Sequence, residues 1–78
     1  MKLPRDITGD ELVRILSKHG YYLTKQTGSH MRLTTKTKGE HHITVPNHDP
    51  IKIGTLHSIL TDVCDHLGIT KEGLLEDL

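Results

Sequence analysis

Apolar residues recur along this chain at two spacings, three-and-four near both ends and two in the middle. Leu12, Ile15 and Leu16 share one face of a helix. Thr8 is placed to cap its start, and Glu11 to return the hydrogen bond as a capping box. His19 and Gly20 suit its end, the imidazole near the negative pole and the glycine in the left-handed position that follows. Three segments of strand character come next, Tyr21 to Gln26, Ser29 to Thr35 and Glu40 to Val45, separated by turns at Thr27-Gly28 and Lys38-Gly39. Side chains alternate across a sheet, so Met31 and Leu33 face a core while His30, Arg32 and Thr34 face away. The third segment repeats the pattern, with Ile43 and Val45 inward, His42 and Thr44 outward, and Pro46 as its stop. After a loop over Asn47 to Ile53, the positions Leu56, Ile59, Leu60, Val63, Cys64 and Leu67 form a second helical stripe ending at Gly68. Thr70 can cap a last short helix carrying Leu74, Leu75 and Leu78. The pattern predicts one α+β domain over residues 1–78: a three-stranded antiparallel sheet with helices packed on one face, in the order αβββα, plus a short C-terminal helix.

Composition qualifies this outline. A domain of 78 residues buries only about 60% of the surface its unfolded chain exposes. With 33% hydrophobic residues, no Phe or Trp, and Tyr21 and Tyr22 as the only aromatics, the core must be built from Leu, Ile and Val. Stability is then marginal, and a bound partner adds to it by mass action. Ten basic and ten acidic residues cancel, yet they are segregated. Residues 21–54 carry Lys25, Arg32, Lys36, Lys38 and Lys52 against Glu40 and Asp49, whereas residues 55–78 carry Lys71 against five carboxylates. Such a split reads either as two solvated faces or as a basic surface for a polyanion. Cys64, the single cysteine, lies within an apolar stripe and reads as a small core residue. Lys2 to Glu11 contains no apolar run of the signal-peptide kind, and no segment approaches the roughly 20 apolar residues of a membrane span, so a cytoplasmic protein without a membrane role is expected.

Seven histidines invite a metal reading. His41 and His42 are adjacent on a strand and face opposite sides. His57 and His66, nine apart on a helix, diverge at about 100° per residue. No Cys or His pair has structural-zinc spacing, and the one candidate cluster is His42, His48 and Asp49; no metal or other cofactor is expected. Gly28-Ser29-His30 is a stronger signal, a tight turn delivering an imidazole onto the open sheet face beside Arg32, with Lys25 and Lys36 within a strand length. An imidazole exchanges protons near neutral pH, as needed to activate an RNA 2′-hydroxyl or protonate a leaving 5′-oxygen, and neighbouring cations hold the phosphate. The same three residues also fit an ordinary exposed strand histidine.

Three ordered motifs decide between these readings. Lys25-Gln26-Thr27-Gly28-Ser29-His30, then Thr44-Val45-Pro46-Asn47-His48, then Gly54-Thr55-Leu56-His57-Ser58-Ile59-Leu60 resemble the HicA (YcfA-like) toxin family, as do the Pro4-Arg5 lead-in and Gly68-Ile69-Thr70. The resemblance implies a double-stranded-RNA-binding-like αβββα fold, mRNA interferase activity, and neutralisation by a HicB-like antitoxin. It carries His30 over as the catalytic residue, with Gly28 and Ser29 shaping the turn before it. Lys25, Arg32 and Lys36 are the expected phosphate contacts; His42, outward like His30, is the candidate for a second proton-transfer group, and His48, after the strand-three proline as in the family, reads as loop structure ahead of a secondary site residue. Lys25, Thr27, His57 and Gly73 depart from the residues commoner in the family, the first three in the direction of a weaker positive surface. The alternatives are a non-catalytic RNA-binding module on the same fold and a partner-binding domain without an RNA role.

Overall fold

The computed structural model describes residues 6–76. Pro4-Arg5 and Leu78 lie outside the described residues. The elements run α1 (Gly9–Lys18), β1 (Tyr22–Thr27), β2 (His30–Thr35), β3 (His41–Pro46), α2 (Ile53–Leu67) and α3 (Lys71–Leu75). The strands form one antiparallel sheet in the order β1-β2-β3. Met31, Leu33, Ile43 and Val45 turn one face of the sheet to a core closed by the α1 and α2 stripes. Leu12, Leu16, Leu33, Leu56, Leu60 and Leu74 are almost wholly excluded from solvent. Each such side chain contributes about 1.5–3 kcal/mol of burial, which is how a core without Phe or Trp holds together. Among the described residues no helix is long and apolar enough to cross a membrane.

The caps follow their residues. Glu11 N–H donates to the Thr8 hydroxyl and Thr8 N–H to the Glu11 carboxylate, closing the capping box. These hydrogen bonds, that of the Thr8 backbone first, hold the Glu11 carboxyl below its ordinary range. Gly68 ends α2 in the left-handed conformation, and the Thr70 hydroxyl caps α3 by accepting from Gly73 N–H. Burial pushes the Cys64 thiol up, as befits a core residue.

One local expectation is corrected, and the first strand is irregular. Tyr21 does not belong to β1: its N–H donates to Leu16 O, the C-terminal turn of α1, which seats the ring in the core before the strand begins. β1 also does not alternate evenly. The register passes from Leu23 opposite Leu33 to Lys25 opposite Arg32, leaving Thr24 as an extra residue in a bulge. The Thr24 hydroxyl donates to Arg32 O, and the bulge carries Lys25 onto the Arg32 face.

Candidate functional site

His30 opens β2 immediately after the turn at Gly28-Ser29, where Gly28 has φ 53° and nothing stands near the position of a side chain. Opposite His30 on β3 is Pro46, so the ring emerges at the end of the ribbon where the chain leaves the sheet for α2. There it lines an open cleft of about 380 Å³ together with Thr44, Pro46, His48, Lys52 and Thr55. Three segments of chain therefore converge on one imidazole: the strand ends, the loop 47–52 and the first turn of α2.

That first turn shapes the electrostatics. The leading N–H groups of a helix have no intrahelical acceptor, and the N-cap of α2, Lys52, supplies no side-chain hydrogen bond to them. No acidic residue occupies the first turn either. The backbone at Gly54 is open, with no atom near the position a Cβ would take. An ammonium at the positive pole of a helix is unfavourable by itself, and an anion placed in the cleft relieves both it and the free amides. On the same sheet face, Lys25 stands directly opposite Arg32, two residues along from His30. Lys52 in the cleft, with Lys25 and Arg32 further along the same sheet face, gives an exposed imidazole cationic surroundings able to hold a phosphate while a proton moves.

The expected site residues are not all gathered here. His30 and His48 line the cleft, Gly28 and Ser29 form the turn just before His30, and the Lys25–Arg32 pair lies outside the cleft lining, two residues along the same sheet face. Lys36 is not: it follows the far end of β2, six residues from His30 and roughly 20 Å along the strand. His42 shares the outer face but pairs with Thr34, four residues or roughly 13 Å from His30. Both of its ring nitrogens are engaged, Nδ1 with the Thr34 hydroxyl at 2.8 Å and Nε2 with Glu40 at 2.9 Å. The candidate cluster of His42, His48 and Asp49 is split for the same reason, since His42 is near the start of β3 and the other two lie beyond its end. No group of three or more His, Cys, Asp or Glu among the described residues is arranged to hold a metal ion.

Lys52 and Thr55 are functional candidates that sequence reasoning missed. The signal was a lysine set before a helix whose first turn carries no carboxylate, with a glycine inside it.

A sequence model for the family described as the HicA toxin of bacterial toxin-antitoxin matches residues 9–64, from the first residue of α1 to the buried Cys64 of α2, and so covers the whole cleft. No curated protein and no solved structure matches the chain.

Proposed function

Because the chain belongs to the HicA toxin family of bacterial toxin–antitoxin systems, we propose that it is a toxin endoribonuclease whose His30 moves a proton during cleavage of mRNA in the cytoplasm. Residues 1–78 act as one toxin domain, and a HicB-like antitoxin holds it inactive. The observation that carries the reading is the placement of His30: an exposed imidazole on a cleft that Lys52, at the bare start of α2, also lines, with the Lys25–Arg32 pair two residues along the same sheet face.

In the proposed reaction Lys25, Arg32 and Lys52 hold the non-bridging phosphate oxygens and offset charge as it builds on them. The imidazole supplies acid–base chemistry at the sugar or at the leaving oxygen. These groups need no metal cofactor. Attack by the RNA's own 2′-hydroxyl leaves a cyclic phosphate and a free 5′-hydroxyl. An antitoxin presenting carboxylates would meet complementary charge over this cleft, and covering it would block substrate and proton transfer together.

The test is cleavage of a purified transcript in EDTA by wild type and His30→Ala, with thermal melting of both. The variant is expected to lose about 100-fold or more in rate and to melt like the wild type, because the exposed ring contacts little. Undiminished cleavage by the folded variant would sink the assignment. Wild-type protein that binds the transcript without cutting it would replace this reading with a non-catalytic RNA-binding module.

A further inference from the structure

Cleavage through a 2′-hydroxyl needs two proton transfers, one from the nucleophile and one to the leaving oxygen, and His30 supplies one group at a time. We propose that His48 is the second proton-transfer group of the reaction proposed above, an inference that rests on that reading.

Three observations support it. His48 lines the same cleft as His30, arriving from the loop after β3 while His30 arrives from β2. Its ring is exposed and makes no hydrogen bond among the described residues, unlike His41, His42 and His66, whose rings are all engaged. The backbone beneath it is nevertheless firmly braced. Asn47 N–H donates to Ser29 O at 2.6 Å, tying the residue before His48 to the residue before His30. Gly9 N–H donates to His48 O at 2.9 Å, and Ile51 N–H to Ile7 O at 2.8 Å. Gly9 permits that approach, since a Cβ there would lie 2.6 Å from Pro46 O and 2.8 Å from the Asn47 Cα. Loops ordinarily move more than the elements they join. This one is pinned at successive points, and it carries an imidazole with no structural task of its own.

The chemistry balances between the two rings. One imidazole, neutral, takes the 2′-hydroxyl proton as the O2′–P bond forms. The other, protonated, gives its proton to the 5′ oxygen as the P–O5′ bond breaks. The products are a 2′,3′-cyclic phosphate and a 5′-hydroxyl, and the two histidines have exchanged charge states. His42 cannot share this work, with both nitrogens bonded and its place at the other end of the ribbon.

The experiment compares wild type, His30→Ala, His48→Ala and the size-preserving His48→Gln on RNA and on an oligonucleotide whose scissile 5′ oxygen is replaced by sulfur. A thiolate leaves without a proton, so the sulfur substrate no longer needs the acid. Both His48 variants are expected to lose about 100-fold or more in kcat on RNA, with RNA affinity and melting unchanged. The sulfur substrate should restore the rate of one single-histidine variant and not of the other. A His48 variant within about threefold of wild type in kcat, or a loss residing in KM alone, overturns the proposal. So does an identical response of the His30 and His48 variants to sulfur. If wild type fails to cleave, or His30→Ala cleaves normally, the ribonuclease reading fails and this inference with it. If wild type cleaves and His30→Ala does not, that reading stands and the His48 result is judged alone.

Discussion

At the start of β3, His41 and His42 have both ring nitrogens hydrogen-bonded within the protein, whereas His48 beyond its end, and His30 opposite its last residue, leave theirs to solvent. The committed end is a staple. Asp62 can only accept, so His41 Nε2 donates to it at 3.2 Å, and the Tyr21 hydroxyl then donates to Nδ1 at 2.8 Å. The His41 ring stacks on His66 with centroids 4.4 Å apart, and His66 Nε2 donates to Thr37 O and Gly39 O. Lys38 adds a bond to Leu67 O, so the β2–β3 turn is tied to the last turn of α2. At the opposite end of α2, the first turn lacks both a side-chain cap and a carboxylate. One residue type is thus held in two ways, set by whether acceptors and donors of fixed position surround the ring.

The helix starts differ in the same way. α1 opens on a closed capping box with Asp10 and Glu11 in its first turn, satisfying its own amides and dipole. α2 opens on Lys52 with neither, and it is the one that borders the cleft. Its leading amides have no side-chain acceptor at the N-cap.

The largest expected effect comes from exchanging the two kinds of histidine. His41→Ala leaves the buried Tyr21 hydroxyl without its partner and removes the stacked ring. It should cost about 2–3 kcal/mol, a fall of roughly 10–20 °C in melting temperature for a domain of this size. Cleavage measured well below that melting point should persist. A folded His41→Ala protein as inactive as His30→Ala would erase the distinction between the two ends.

A smaller effect tests the staple without mutation. Burial, followed by the Asp62 and Cys64 charges, raises the Tyr21 phenol to about 12. The folded state therefore favours the neutral phenol. Its contribution is complete below the unfolded value near 10 and is lost as pH rises from there through about 12. Urea denaturation at pH 8 to 12 should show the decline, and Tyr21→Phe should remove this component. A decline of equal size in the Phe variant would assign it elsewhere.

The smallest effect concerns the uncapped helix. Lys52→Asp supplies a capping carboxylate at the N-cap of α2 and is expected to stabilise the fold by about 0.5–1 kcal/mol. RNA binding should weaken at the same time, and its salt dependence should become shallower by about one phosphate's share, a slope change near 0.7–0.9. Greater stability with unchanged RNA affinity would remove Lys52 from the cleft's function.

Most of the fold was legible along the chain because its causes are local. The spacing of Leu56, Ile59, Leu60 and Val63 follows from one helical turn, and that of Met31 and Leu33 from one pleat. The Thr8–Glu11 box closes within four residues. The Gly28-Ser29 turn into His30 was legible for the same reason, a glycine turn feeding a strand. Lys36 stands apart from His30 because proximity in sequence along a strand is distance in space, roughly 3.3 Å for every residue. Lys25 reaches the Arg32 face through a bulge, and a bulge depends on pairing between strands, which no single-strand pattern encodes. The division of the histidines lay furthest from view. His41 meets Asp62 and His66 across more than twenty residues of sequence, and His48 meets the His30 cleft through an Asn47–Ser29 bond that exists only once β3 has registered on β2. Burial and capping are properties of neighbours along the chain; whether an imidazole is bonded or free depends on which distant groups the folded chain brings within 3 Å or so of its nitrogens.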